Sequence, residues 1–402
     1  MDRETLLKAL NKPSPYGPDV DLSRFNVGLA EEGVLEEREV NKISSRLGLG
    51  SGLLRKADYL QVNESVLSKF MREKLTERGA VVLPTSEALK KLDWVREYSW
   101  RLVKPDTDKY TAATKLYGNE LGFFIYVPPG VKIKDPIYTC LFITRKGYAQ
   151  LLHNIVVVDD GAELNLVTGC GVPDQPLGSL HVGISEYYVG RGSKLTYTMI
   201  HAWAPDMVVR PRTVVKVGKG GEYVSYYVIY SSVESLQTYP KVYLGEGAKA
   251  TLNSIVVGVD KSVYDVGSAI VLEGKDSAGE ILSRNLGRGS SLIYARSRIE
   301  GRAGPSRGHI ECLGLIEDDN ATIESLPEIS SSSPEAVLTH EAAIGKIGED
   351  LISYLLSKGF SEEEARAAII KGFLNIEEPK LPQQVREVIK RTVEYIASRA
   401  VG

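Results

Sequence analysis

The sequence predicts a mainly β protein whose centre is an elongated solenoid bounded at each end by helices. Three observations carry that reading. From about Thr111 to Thr339, β-branched and aromatic residues fall in short alternating runs. Glycine turns of one type follow those runs at near-regular intervals, and helical periodicity is confined to the two ends of the chain.

The N-terminal region, residues 1–110, reads as helical pieces between breaks. Met1-Asp2-Arg3-Glu4-Thr5-Leu6-Leu7 is a short amphipathic run with charges inside it, unlike a secretion signal. Asn11 to Pro18 contains three prolines and a glycine and is expected as a loop. Helices are expected over about Val34–Arg46, Ser65–Glu77 and Ser86–Leu102. In the last of these Ser86 is placed as N-cap, with Leu89, Leu92 and Val95 as an apolar stripe.

The central region, residues 111–341, carries the repeats. Asp159-Asp160-Gly161-Ala162, Gly190-Arg191-Gly192-Ser193, Gly218-Lys219-Gly220-Gly221, Gly245-Glu246-Gly247-Ala248 and Gly287-Arg288-Gly289-Ser290 resemble one another. Gly161, Gly192, Gly220, Gly247 and Gly289 recur at intervals of roughly 27 to 31 residues with one longer step, the signature of stacked units. A short strand with one apolar face buries it only by stacking on the next, which yields a β-solenoid or β-helix with capped ends. A large antiparallel sandwich produces similar turns, without requiring such regular spacing.

The C-terminal region, residues 342–402, is helical again. Leu351, Ile352, Leu355 and Leu356 form one face of a helix from Glu349 to Ser357, and Gly359 is placed just past its end. Ser361 and Glu364 form a capping box for a second helix that stops near Gly372. A last helix is expected over about Pro382–Ser398.

Composition narrows the function. Forty-nine basic against 52 acidic residues leave a net charge of −3, which recruits neither nucleic acid nor an anionic membrane. No apolar run approaches the roughly 18 residues of a membrane span, so a soluble, cytoplasmic protein is expected. Cys140, Cys170 and Cys312 lie far apart without a CxxC pair, so any metal site must be assembled by folding or between chains. There is no GxxxxGK[ST] loop, so ATP hydrolysis is not expected of this chain, and His340-Glu341 lacks the second histidine of HExxH.

The stretch Leu338-Thr339-His340-Glu341-Ala342-Ala343-Ile344-Gly345-Lys346-Ile347-Gly348-Glu349-Asp350-Leu351 continues through Lys358-Gly359-Phe360-Ser361-Glu362-Glu363-Glu364-Ala365 to Lys371-Gly372-Phe373. It resembles the C-terminal signature of the SufB/SufD family of iron–sulfur cluster assembly scaffolds. Gly122-Phe123-Phe124-Ile125-Tyr126-Val127-Pro128-Pro129-Gly130-Val131, Tyr239-Pro240 and Glu311-Cys312 also fall in familiar contexts, so the resemblance spans about Trp94 to Phe373. It implies a right-handed parallel β-helix between helical terminal regions, pairing with a second such protomer, and docking of a SufC-like ABC-type ATPase on the C-terminal helices. It implies a non-catalytic scaffold whose cargo is a transient iron–sulfur cluster.

By this resemblance Cys312 occupies the position of a cluster-ligand cysteine, His340 matches a histidine found in both SufB and SufD, and Glu341 matches an acidic residue of the SufB form; these three are the candidate cluster ligands. Cys170 matches a family cysteine and is a candidate sulfur relay. Leu355, Leu356, Phe360, Ile369 and Phe373 are the candidate ATPase-binding residues. Thr339 departs from the SufB pattern, which carries an acid there. Val242 stands where SufB has a second cysteine associated with sulfur receipt, so the residues name no route for sulfur; they name no sulfur donor and no flavin either.

The residue types suit the chemistry. Four thiolates make a durable cluster site, whereas one thiolate with imidazole or carboxylate suits a scaffold that releases its cluster. Read from pattern alone, Cys312 shares a strand face with Ile310 and Gly314, which is equally the position of a core thiol. His340 and Glu341 are adjacent, so in an extended strand they point to opposite faces, and both reach one cluster only if the strand ends or bends there. Cys140 reads as a core thiol, and Cys170 as either a turn thiol or the relay. His153, His181 and His201 read as structural imidazoles, while His309 draws interest only because it is near Cys312. Pooling ligands across two copies favours a homodimer over a SufD-like heterodimer. The competing readings are a purely structural SufD-like partner and a β-helical carbohydrate-active enzyme with paired carboxylates.

Overall fold

A computed structural model of the chain describes residues 1–27, 37–47, 57–66, 79–173, 175, 177–375, 386–387, 390–391 and 393–394. Strand makes up 46% and helix 19%, arranged as a β-solenoid of about eight turns with helices at the termini. A first sheet contains Ile137–Phe142, Glu163–Gly171, Lys194–Ala202, Glu222–Ile229, Lys249–Gly258, Ala278–Gly287, Ser306–Ile316 and Ala336–Lys346. A second contains Phe123–Val127, Ala149–Val158, Leu180–Val189, Arg212–Val217, Lys241–Leu244, Val263–Leu272, Leu292–Gly301 and Thr322–Ser331. Neighbouring strands of these stacks are parallel, and equivalent positions lie side by side from turn to turn, as Leu195, Tyr223 and Ala250 do. Alternate residues of every strand therefore enter one continuous apolar interior, from Phe123 to Ile323.

The glycine period is physical. Gly161, Gly192, Gly220 and Gly247 have φ of 70, 62, 65 and 64°, where a Cβ is unfavourable. Each donates its N–H along the stack, Gly161 to Arg191 O at 2.9 Å and Gly247 to Lys275 O at 2.8 Å. Asp276, at φ 58°, continues this column. Gly289 does not belong to it: it lies at the opposite corner, between Ala278–Gly287 and Leu292–Gly301, stacked against Asp260. The longer step in the repeat is thus a change of corner.

The first turns are covered outside as well as inside. Ala149–Val158 is buried at every position, whereas Leu292–Gly301 alternates between buried and half-buried. Val40, Ile43 and Leu47 cover one outer face, and Ala88 and Val95 cover Phe124, Ile155 and Val157 on the other. The segment Pro13–Pro18 is a strap across the second sheet: Arg212 donates to Ser14 Oγ at 3.1 Å, Arg210 to Pro18 O at 3.1 Å, and Tyr16 packs on Tyr239.

Two N-terminal helices differ from expectation. Ser65–Val66 is a strand turned back on Tyr59–Val62, which itself adds to the first sheet; the remainder of the helix expected there, 67–77, lies outside the described residues. The helix expected over Ser86–Leu102 runs only Thr85–Lys91, followed by a 3₁₀ turn at Asp93–Glu97, and Ser86 is not its cap. Leu92 is extended at this break, and Trp94 packs edge-on against Phe124 and Tyr126; tertiary packing overrides the periodicity.

At the other end the last strand passes the expected boundary at 341 and reaches Lys346. Helices Glu349–Ser357 and Glu362–Leu374 follow, with Gly359 at φ 93° after the first and the Ser361/Glu364 capping box on the second. Ile352, Ile370 and Leu374 pack these helices on Val224, Tyr226, Ile255 and Leu286, the outer face of the first sheet. The expected final helix, Pro382–Ser398, lies largely outside the described residues.

Candidate functional site

Cys312 lies in the next-to-last strand of the first sheet. Ser306–Ile316 pairs with Ala336–Lys346 so that Ile310 faces His340, Glu311 faces Glu341, and Cys312 faces Ala342. Ile310 and Cys312 are core residues, so this register puts Cys312 and His340 on the inward side of adjacent turns. Cys312 is 1% exposed, and its Sγ lies 3.4 Å from Ser297 Oγ on the opposite sheet. Ser297 carries no sequence signal for this contact, which joins strands of two sheets.

What changes across one turn is cover. Cys312 has a strand above it, while His340 in the last turn has none and is exposed. The inward residues beside it are uncovered too, with Ile329 and Ile344 both 41% exposed. Among the described residues Ala336–Lys346 and Thr322–Ser331 each pair on one side only, so both sheets end there in an unpaired edge. In its own column Cys312 is followed by Ala342 of the last turn.

Glu341 takes the other face. The strand is continuous through 341, so this carboxylate points outward beside Glu311, which pairs with Arg284 at 2.5 Å. His309 is also on that outer face, 2.9 Å from Thr339 Oγ1. The register therefore puts Cys312 and His340 on one side of the sheet, in adjacent turns and two residues out of line, and Glu341 on the other. Among the described residues no three His, Cys, Asp or Glu side chains are grouped to hold a metal ion.

The remaining candidates lie elsewhere. Cys170 is fully buried, its thiol 3.7 Å from Met199 Sδ, and burial pushes its pKa well up. Five strand spacings separate it from Cys312 along the sheet, roughly 24 Å, too far for a shared ligand set. Val242 is core, between Val215 and Ile270. Cys140 is buried beside Val40 and Ile43 of helix Glu37–Arg46, and burial raises its pKa as well. His181 is bonded to Gln150 at 2.8 Å, and burial lowers its pKa to about 3; His201 accepts from the Trp203 indole at 2.9 Å. These two are neutral internal imidazoles.

His153 anchors a network that sequence reading passes over. Its ring nitrogens meet Glu120 at 3.2 Å and Glu186 at 2.8 Å, and the fully buried Glu186 also accepts four backbone N–H groups from Trp100 to Val103. Burial lowers the His153 pKa, but the bonds to Glu120 and Glu186 outweigh it and leave the imidazole above its usual value. Burial raises Glu120, and the bonds from His153 and Lys115 reverse this, to about 2.

On the C-terminal helices Leu356 and Phe360 are exposed, each 43%, as are Leu351 and Tyr354. Leu355 is half-buried, and Ile369 and Phe373 lean on the solenoid.

Comparison with known proteins adds independent findings. Residues 141–373 match the model of the SUF system FeS cluster assembly, SufBD core domain. An iron–sulfur cluster assembly SufBD family protein of Methanothermobacter thermautotrophicus is 37% identical, over 98% of each chain. One from Archaeoglobus fulgidus is 41% identical over 79% of this chain and 85% of its own. The iron–sulfur cluster assembly protein SufB of Bacillus subtilis is 29% identical over 85% of this chain and 74% of its own.

Proposed function

Because this chain belongs to the SufBD family of iron–sulfur cluster assembly proteins, we propose that it is a scaffold that holds a nascent cluster at its open end. The observation carrying this reading is the juxtaposition there of the Cys312 thiol, His340 and two uncovered sheet edges. The cluster is cargo. One thiolate and one imidazole per chain hold it less firmly than four thiolates and so permit transfer.

Two copies complete the site. An isologous contact between the free edges covers Ile329 and Ile344 and brings two sets of Cys312 and His340 to the axis. Glu341, on the outer face, serves as a polar neighbour of the interface. A SufC-like ATPase docks on the exposed side of the C-terminal helices, through Leu356 and Phe360 with Leu355 at the margin. Ile369 and Phe373 support that surface from beneath. Cys170 passes sulfur only if sulfur travels inside the solenoid.

Anaerobic reconstitution with ferrous iron and sulfide tests the scaffold. The wild-type chain is expected to acquire cluster absorption and Cys312→Ala to lose most of it, with His340→Ala intermediate; full retention by Cys312→Ala removes the site assignment. The second reading is a structural SufD-like subunit, favoured by the buried Val242 in place of a second cysteine. A wild-type chain that takes up no cluster alone but dimerises with a second family member supports that reading.

A further inference from the structure

The N-terminal region contains a cleft of about 830 Å³, remote from the open end, formed between helix Thr85–Lys91, the 98–106 loop and helix Lys109–Tyr117. Its volume is that of a small-molecule site. Lys90, Arg96, Lys104 and Lys115 line it against two carboxylates, Asp106 and Glu120. Both carboxylates and two of the cations are already paired: Glu120 is held by Lys115 at 2.7 Å and His153 at 3.2 Å, Asp106 lies 3.9 Å from Lys12, and Arg96 lies 3.5 Å from Asp93. Lys90 and Lys104 are left, among the described residues, without a carboxylate partner.

The floor is built and rigid. The Trp100 ring packs against His153, 4.3 Å between centroids, and the Lys115 ammonium lies 5.4 Å from its centroid. Its buried indole N–H has no acceptor among the described residues. Trp100, Asn119 and Glu120 all have φ between 50 and 58°, an unfavourable conformation for non-glycine residues, gathered at one cleft. Backbone bonds to Glu186 hold the first of them in place.

We propose that this cleft binds a small polyphosphate anion, by charge and hydrogen bonds from Lys90 and Lys104, with the paired Arg96 and Lys115 adding positive potential at the wall. A compact anion with several oxygens uses dispersed ammonium donors and needs no aromatic base. This assignment is independent of the cluster site.

Calorimetric titration of the full chain with inorganic pyrophosphate, with tryptophan fluorescence in parallel, tests it. Pyrophosphate is expected to bind more tightly than sulfate. The double variant Lys90→Glu/Lys104→Glu is expected to weaken binding by about tenfold or more. Both lysines are exposed, so the melting temperature stays at the wild-type value, and Lys90→Arg/Lys104→Arg retains binding. Trp100→Phe is expected to abolish the fluorescence response. Absence of binding at low millimolar pyrophosphate, equal affinity in the charge-reversed variant, or sulfate binding as tight as pyrophosphate overturns the proposal.

Discussion

At the N-terminal end of the solenoid, Ala149–Val158 is buried on both faces, helices and a strand hairpin cover the first turns, and a buried His153–Glu186 pair ties loop to sheet. At the C-terminal end, Thr322–Ser331 and Ala336–Lys346 leave their edges free and inward-facing apolar side chains exposed. Both ends rest on the same stacked geometry. The difference teaches that a residue's chemistry here depends on its distance from the open turn: Cys170 and Cys312 are equally buried thiols, but only Cys312 lies one strand from the end.

The largest expected effect breaks the closed end. Glu186→Ala leaves four loop N–H groups and the His153 ring without their acceptor, and is expected to cost about 3–5 kcal/mol in urea unfolding. Glu341→Ala at the open end is expected within about 0.5 kcal/mol of wild type. Equal costs would mean that the two ends do not differ in this way.

Self-association tests the open end next. Ile344→Asp puts a charge on the exposed terminal face and is expected to weaken dimerisation at least about a hundredfold, some 2.7 kcal/mol, by light scattering or sedimentation. Its melting temperature in dilute solution should remain that of the wild-type monomer. Unchanged association places the dimer contact on another surface.

The two thiols sharpen the comparison at about 1–2 kcal/mol. Cys170→Ala removes a core contact with Met199 and is expected to lower stability by that amount with cluster uptake unchanged. Ala342→Leu is expected to do the reverse, blocking the column over Cys312 and lowering cluster uptake with little loss of stability. Cluster loss in Cys170→Ala would bring the interior thiol into the assembly route.

The smallest effect is with pH. His153 has a raised folded pKa, so its contribution is complete below the unfolded value near 6.5 and disappears as pH rises through the folded one. Glu120 is lowered to about 2, so its contribution is present above about 4.5 and is lost as pH falls toward 2. Protection of the Trp100–Val103 amides, the slowing of their exchange relative to the intrinsic rate at each pH, is expected to be greatest between those limits. A pH-independent protection would remove the charged pair from the account.

Much of this was legible because it is local. The alternation of 306–316 placed Cys312 with Ile310, adjacency put His340 and Glu341 on opposite faces, and Ser361 and Glu364 formed the capping box they spell. The failures were contacts between distant segments. Ser65–Val66 pairs as a strand because Tyr59–Val62 is already held on Ile137–Phe142, and the helix after Thr85 stops where Trp94 finds Phe124.

The sequence by itself determined the repeat, since a left-handed turn every 27 to 31 residues needs glycine or a tolerant residue at a recurring position. It also determined the mainly β core and the residue types at the site. Only the tertiary structure decided which corner Gly289 occupies, that Ser297 meets Cys312, and that His153 joins Glu120 to Glu186. Those depend on how strands from separate parts of the chain are stacked, and a periodic pattern specifies which face a side chain takes but not what lies across the core from it.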